Sequence, residues 1–411
     1  MQPFGSRRCK SLYMTEDTFS RSKSTFERVA RAFWTGEALH RDGPQLKPWP
    51  GRSGLERFLM DDGQGGTLCI SAEAAGRTLT DIEQEQLTLQ TLQDHSFELA
   101  VPLVATKDEK PAFYCQGLYW TARRYVPVTS TFNWRFRQWD IDHCKLGGLT
   151  LARLHSIGDG ANLSAAQKKR LKPQVDWRQQ CLERLRLIFA RASEFGVMPG
   201  HNLTVAAAEA MVGHLQGKVE QVAEVQAMIE QWLRAHGSKY AWQALIHGDF
   251  HPGNVLFAQD SVKAVIDWDF ARLDDPLFDL AYARMMFCGT FREPDFSPDN
   301  LFDKTLCTAF EDSYRGFLDT SQNEHYLWLI VLCSLVIGDD ASRQEEAVAA
   351  DILSAYSEIV LALILIFELE TLVRPCALSA EERGQESDEQ RQERLQIERI
   401  VGNILNFFLR V

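Results

Sequence analysis

Three polar residues near the middle of the chain combine types and spacing that can do chemistry. Asp249 and Asn254 lie within Leu245-Ile246-His247-Gly248-Asp249-Phe250-His251-Pro252-Gly253-Asn254-Val255-Leu256-Phe257, and Asp267 follows within Val265-Ile266-Asp267-Trp268-Asp269. Phosphoryl transfer to a hydroxyl needs such a set. One carboxylate positions the acceptor hydroxyl and takes its proton, while oxygen ligands hold Mg2+ against the β- and γ-phosphates. Taken singly, an Asp in a loop is a turn or cap residue far more often than a catalyst. The joint order of Asp, four residues, Asn, then a second Asp is hard to obtain from turn chemistry alone. Asp269 suits either a place beside a metal or a solvated turn.

Such groups must be held by regular elements. Apolar residues on both sides of the polar centre predict strand-like arms around a loop bearing Asp249, His251 and Asn254. The stretch Ala258–Lys263 can turn the chain back and bring Asp267 beside Asn254. Upstream, Phe58–Met60, the turn Asp61-Asp62-Gly63 and Thr67–Ile70 predict a hairpin. Thr80 with Glu83 predicts a capping box, followed by a helix whose Ile82, Leu89 and Leu92 share one face. Two further strands are expected at Phe113–Trp120 and Ala122–Val126, ending at Pro127. A helical pattern precedes the hairpin, from Thr25 to Trp34. After Pro127 the period becomes helical, with Leu182, Leu185, Ile188 and Phe189 in one stripe and Val222, Val225, Ile229, Trp232 and Leu233 in another. A charged stretch, Glu381–Arg399, leads into the apolar stripe Ile400, Val401, Ile404, Leu405 and Phe408. That stripe predicts a terminal helix docked on its own lobe, with a homodimer contact as the alternative.

The central segment resembles the signature of the aminoglycoside phosphotransferase and choline kinase superfamily. The family pattern H-G-D-x-H-x-x-N is met by His247 to Asn254, I-D-W-[DE] by Ile266 to Asp269, and D-P-x-x-D-L-A by Asp275-Pro276-Leu277-Phe278-Asp279-Leu280-Ala281. Leu151-Ala152-Arg153-Leu154-His155 is similar to the family's L-A-x-L-H helix. The resemblance implies an α+β, two-lobed protein-kinase-like fold, with a small antiparallel-sheet lobe, a larger helical lobe and ATP between them. It also implies Asp249 as catalytic base, Asn254 and Asp267 as Mg2+ ligands, and structural support from His247 and Asp279. His251 is open between loop packing and substrate contact, and His155 is read as a packing residue of its helix.

One departure stands out. Kinases of this fold carry a Lys on the third strand that contacts the α- and β-phosphates and pairs with a helix Glu. Here the strand reads Thr67-Leu68-Cys69-Ile70-Ser71, so Cys69 stands where the Lys belongs, while Glu85 is in place on the following helix. Arg57 or Arg52 on a neighbouring strand or loop is the expected replacement, and Gly51-Arg52-Ser53-Gly54 is a thin remnant of a phosphate loop. Tyr125 and Val126 are expected at the nucleotide-binding hinge.

Bulk properties agree with a cytoplasmic enzyme. A net charge of −12 argues against a nucleic-acid partner. The nine cysteines are scattered with no C-x-x-C pair, which suits a reducing compartment. The apolar runs at Leu327–Ile337 and Ile359–Phe367 are too short to span a bilayer, and the N-terminus does not read as a secretory signal. The expected organisation is an N-terminal extension (1–45), a small nucleotide-binding lobe (46–127), a helical catalytic and substrate lobe (128–375), and a charged linker with a C-terminal amphipathic helix (376–411). The expected activity is ATP- and Mg2+-dependent transfer of the γ-phosphoryl group to a hydroxyl of a small molecule. A non-catalytic pseudokinase acting as a binding module and a protein Ser/Thr kinase are the alternatives.

Overall fold

In the computed structural model, the alternating apolar and polar residues between Arg57 and Arg124 form the centre of an antiparallel sheet. Its strands are β1 (Leu46–Pro48), β2 (Arg57–Asp61), β3 (Thr67–Ala72), β4 (Phe113–Cys115) and β5 (Leu118–Arg124), in the order β1-β2-β3-β5-β4. The structure describes residues 16–33, 46–48, 56–62, 65–128, 130–157, 163–171, 177–194, 205–235, 243–320, 343–376 and 387–410. Arg52, the glycine remnant around it and the Leu327–Ile337 run lie outside the described residues. The chain divides into two compact units, one of Met1–Thr129, Lys169–Lys172 and Lys263–Asp269, the other of Ser130–Lys168, Pro173–Val262 and Phe270–Val411.

In the first unit the two faces of the sheet have different partners. Phe58, Met60, Leu68, Ile70, Trp120 and Ala122 form one buried core with Phe26, Val29 and Phe33 of α1 (Glu16–Phe33). The Phe26 ring lies 4.9 Å from Phe58 and 5.8 Å, edge on, from Trp120. Burying a large apolar side chain stabilises by roughly 1.5–3 kcal/mol, so these rings contribute strongly to holding α1 on the sheet, beside the Lys107 N–H that donates to the Ala32 carbonyl. The other face carries Cys69 and Ser71 opposite Arg123 and Thr121. It faces α2 (Leu79–Asp94), whose Ile82, Leu89 and Leu92 are buried together with the carboxylate of Glu85.

Two local expectations need correction. The capping box of α2 is Thr78 with Asp81, two residues earlier than Thr80 with Glu83: Thr78 N–H donates to Asp81 Oδ2 (2.9 Å) and Asp81 N–H to Thr78 Oγ1 (3.2 Å). The shorter Asp reaches back as Glu would, so both boxes look alike in sequence. The last two strands divide at Gln116-Gly117 rather than at Thr121. Both turn residues take positive φ (52° and 82°), the conformation a two-residue hairpin turn demands.

The remaining elements are α3 (Ile141–Ile157), α4 (Ala165–Arg170), α5 (Trp177–Glu194), α6 (Val205–Ala235), β6 (Ala244–Ile246), β7 (Val255–Ala258), β8 (Ser261–Val265), β9 (Arg272–Asp274), α7 (Pro276–Cys288), α8 (Lys304–Thr320), α9 (Arg343–Cys376) and α10 (Asp388–Phe408). β6 pairs with β9 and β7 with β8. In the second unit α3 packs closely on α8: a Cβ at Gly148 would stand 2.1 Å from the carbonyl oxygen of Phe310. The apolar stripe of α10 is buried, and α10 packs on α9. Arg135 fastens both helices through Glu368 and Glu393, each at 2.8 Å. The stripe is therefore covered by its own chain. Among the described residues no helix is long and apolar enough to cross a membrane.

Candidate active site

The loop after β6 is held by a carboxylate from α7. The N–H groups of His247 and Gly248 donate to Asp279 at 2.8 and 2.9 Å, and His155 Nε2 lies 3.3 Å from the same carboxylate. His155 Nδ1 meets the hydroxyl of Tyr314 on α8 at 2.8 Å. Asp279 and His155 are both wholly buried. His155, read from the sequence as packing, is thus also a link from α8 to the loop. Burial opposes ionisation of Asp279, but His155, His247 and the loop amide outweigh it and hold the carboxyl below its ordinary pKa. The start of α7 fixes this placement, with Asp275 as N-cap accepting from Leu277 N–H (2.9 Å) and Pro276 at the first position. Gly248 has φ +81°, and a Cβ there would strike the carbonyl of Phe270 at 2.6 Å.

Asp279→Ala is therefore expected to act on the fold. Two loop amides and a histidine lose their acceptor, and each buried unsatisfied donor costs roughly 1–3 kcal/mol. The melting temperature and soluble yield should fall, with Asp279→Asn, which keeps one acceptor oxygen, in between. A variant that melts like wild type yet is inactive would place Asp279 among the reacting groups.

Asp249 is presented on this braced loop with both oxygens engaged. Oδ1 accepts the Tyr282 hydroxyl at 2.6 Å and Oδ2 accepts Asn254 Nδ2 at 3.1 Å. Asn254 Nδ2 also reaches the Asp249 carbonyl at 3.0 Å. His251 Nδ1 accepts from Gly253 N–H at 3.0 Å, so its proton sits on Nε2, which faces Asp249 Oδ2 at 3.6 Å. His247 Nδ1 accepts from the Asp249 amide at 3.2 Å. The Asp249 side chain remains 23% exposed, so its outer edge is accessible. Burial raises its pKa, but His251, Tyr282 and His247 overcome this and hold it below the ordinary value. Burial and the neighbouring carboxylate push the Tyr282 phenol well above its usual range, so it stays a donor. Sequence reasoning missed Tyr282. The available signal was its position three residues after Asp279 on one helix, which puts both side chains toward one face.

Asp267 belongs to the sheet-bearing unit, whereas Asp249 and Asn254 belong to the helical one. Residues on either side of it are anchored. Val265 N–H donates to the Leu99 carbonyl at 2.8 Å, and buried Trp268 lies edge-on to Phe97 at 6.0 Å with its Nε1–H on the Val265 carbonyl. Between these anchors Asp267 is exposed and takes φ +67°, uncommon for a residue with a Cβ. Asp269 pairs with Arg77 at 2.8 Å. Burial, with Glu85, Asp267 and Glu73 nearby, pushes its pKa up to about 7 against the pull of Arg77.

Two arginines stand against Glu85, the partner that the strand lysine would have had. The ion pairs of Glu85 run to Arg123 Nη2 and Arg77 Nη2, each at 2.6 Å, and not to Arg57. Arg57 sits on the neighbouring strand opposite Ser71, while Arg123 is directly opposite Cys69. Arg57 and Arg123 thus stand on the two strands that flank β3. Tyr125 continues that pairing, its N–H donating to the Thr67 carbonyl at 2.8 Å, and Val126 follows half-buried.

A small antiparallel sheet carrying a Glu-bearing helix, followed by a helical unit with a braced Asp–Asn loop, defines the protein-kinase-like α+β fold. Solved structures agree. The choline kinase of Cryptosporidium parvum is similar with a TM-score of 0.53 at 10% identity, over 94% of this chain and 94% of that one. A spectinomycin phosphotransferase solved with ADP and spectinomycin is similar with a TM-score of 0.50 at 12% identity, over 94% and 97%. The chain matches the phosphotransferase enzyme family over residues 47–316, and it belongs to that family. Mouse acyl-CoA dehydrogenase family member 10 is 33% identical over 76 residues, covering 18% of this chain and 7% of that protein. Homoserine kinase of Methylocella silvestris is 31% identical over 94 residues, 23% of this chain and 27% of the relative. The chain thus spans under a third of the length of these curated relatives.

Proposed function

We propose that this chain transfers the γ-phosphoryl group of ATP to a hydroxyl of a small molecule, with Asp249 as the base. The observation that carries the reading is the held state of Asp249: ionised, partly exposed, and hydrogen-bonded by Tyr282 and Asn254 on a loop braced by Asp279. A carboxylate offers about four lone-pair positions. Tyr282 and Asn254 use two and His251 Nε2 faces Oδ2 at 3.6 Å, which leaves one for the hydrogen of the acceptor hydroxyl. Because the Asp249 pKa is low, the proton moves only as the hydroxyl oxygen bonds to phosphorus and its hydrogen becomes acidic.

Each proposed metal ligand has, within its own unit, the chemistry that a hard divalent cation selects. Asn254 commits its Nδ2 to Asp249, which leaves its carbonyl oxygen to face a cation, and Asp267 carries an exposed carboxylate; oxygen donors are what Mg2+ selects. When bound, Mg2+ neutralises charge on the β- and γ-phosphates. The similar fold of a phosphotransferase solved with ADP supports the nucleotide, and the partial likeness to homoserine kinase supports a small hydroxyl acceptor.

The test is ADP formation from ATP and Mg2+ across a panel of hydroxyl compounds, including homoserine, choline, ethanolamine and aminoglycosides, alongside thermal shift with nucleotide. Acceptor-dependent ADP release is the expected result. Stabilisation by ATP with no transfer to any acceptor, peptides included, would instead favour a nucleotide-binding module; neither stabilisation nor turnover would end the reading.

A further inference from the structure

Glu85 is buried, at 1% exposure, with each oxygen on a different guanidinium. Oε1 takes Arg123 and Oε2 takes Arg77, both at 2.6 Å. The two arginines differ in what they have left. Arg77 also pairs with Glu73 and with Asp269, so three carboxylates occupy its fork, and its side chain is 9% exposed. Arg123 meets one carboxylate and, at a long 3.4 Å, the hydroxyl of Thr121, and its side chain keeps 22% exposure. A guanidinium has five N–H donors, so most of Arg123's hydrogen-bonding capacity is unspent.

The register adds the second part of the argument. Cys69 and Arg123 are direct partners across β3 and β5, and directly opposed side chains on one face stand about 4.5–5.5 Å apart at Cβ. A cation rooted at either position reaches the same side of Glu85. Arg77 has a different place, since its link to Asp269 ties the Asp267 segment to α2.

We propose that Arg123 is the group that binds the nucleotide's phosphates, delivered from β5 to the side of Glu85 that a lysine at position 69 would occupy. Arg77 is a positioning residue for the acidic segment. Glu85 holds the Arg123 guanidinium by one edge and leaves another for phosphate oxygens, which it can take in a paired, charge-assisted fashion. The inference rests on the nucleotide reading above.

The experiment compares ATP, ADP and adenosine by calorimetry on the full chain. Arg123→Ala should weaken ATP and ADP about tenfold or more, the scale of a lost charge-assisted hydrogen bond, and leave adenosine, which has no phosphate, unchanged. Cys69→Lys added to Arg123→Ala should recover a large part of the ATP affinity. Should Arg123→Ala be poorly soluble, Arg123→Lys, with its charge kept and its fork lost, is expected to fall between. Equal losses for ATP and adenosine would assign Arg123 to structure alone and overturn the proposal. So would ATP affinity within about threefold of wild type, or a double variant no better than Arg123→Ala. If wild type binds no nucleotide, the functional reading falls as well; if it binds but ignores Arg123, only this inference falls.

Discussion

Asp249→Asn is expected to cost about 10²–10⁴-fold in turnover, the usual worth of a general base, with ATP affinity close to that of wild type. The substitution keeps size and shape, and the amide oxygen can still accept the Tyr282 hydroxyl that Oδ1 accepts at 2.6 Å. What it cannot keep is the second acceptor. An amide nitrogen at Oδ2 would face Asn254 Nδ2, donor against donor, where a 3.1 Å hydrogen bond now lies. A modest fall in melting temperature should therefore accompany the large fall in kcat. Tyr282→Phe is the matched control: it removes one hydrogen bond from the same carboxylate and leaves the base in place, so its kcat loss should be far smaller. Steady-state kcat and ATP binding on the same preparations read both. Turnover of Asp249→Asn within a few-fold of wild type would remove Asp249 as the base.

Much of this site was legible in the sequence because its local parts are short and stiff. The apolar arms on either side of His247–Asn254 are the strands β6 and β7, and the loop they were expected to hold lies between them. The expected helical stripe at Leu182, Leu185 and Ile188 is buried. Three things were not legible, each for a physical reason. The turn at Gln116-Gly117 depends on a left-handed Gln, which no propensity announces. The partners of Glu85 come from positions 8 residues upstream and 38 residues downstream in sequence, and only the β3–β5 register brings Arg123 opposite Cys69. Tyr282 carries no polar motif of its own; its role follows from sharing a helix face with Asp279. Pairing across strands and faces is information the tertiary structure adds.

The second large effect is expected at Asp267, and its backbone supplies an internal control. Asp267→Ala and Asn254→Ala should both raise the Mg2+ concentration needed for nucleotide binding, with Asp267 the costlier loss. A carboxylate brings a full charge to the ion and an amide oxygen only a dipole. At Asp267 a rise of about tenfold or more is expected, equivalent to about 1.4 kcal/mol or more. Asp267 also holds φ +67° between the anchors at Val265 and Trp268. An alanine there keeps the strain of a Cβ in the left-handed region, whereas glycine relieves it. Asp267→Gly should therefore melt at or above the temperature of Asp267→Ala while sharing its Mg2+ defect. That separation matters, because a purely conformational role would let glycine restore nucleotide binding and alanine not. Titrating Mg2+ against bound nucleotide in both variants reads the difference. Recovery of the wild-type Mg2+ requirement by Asp267→Gly would show that the carboxylate is not a ligand and that the left-handed backbone is the feature the site requires.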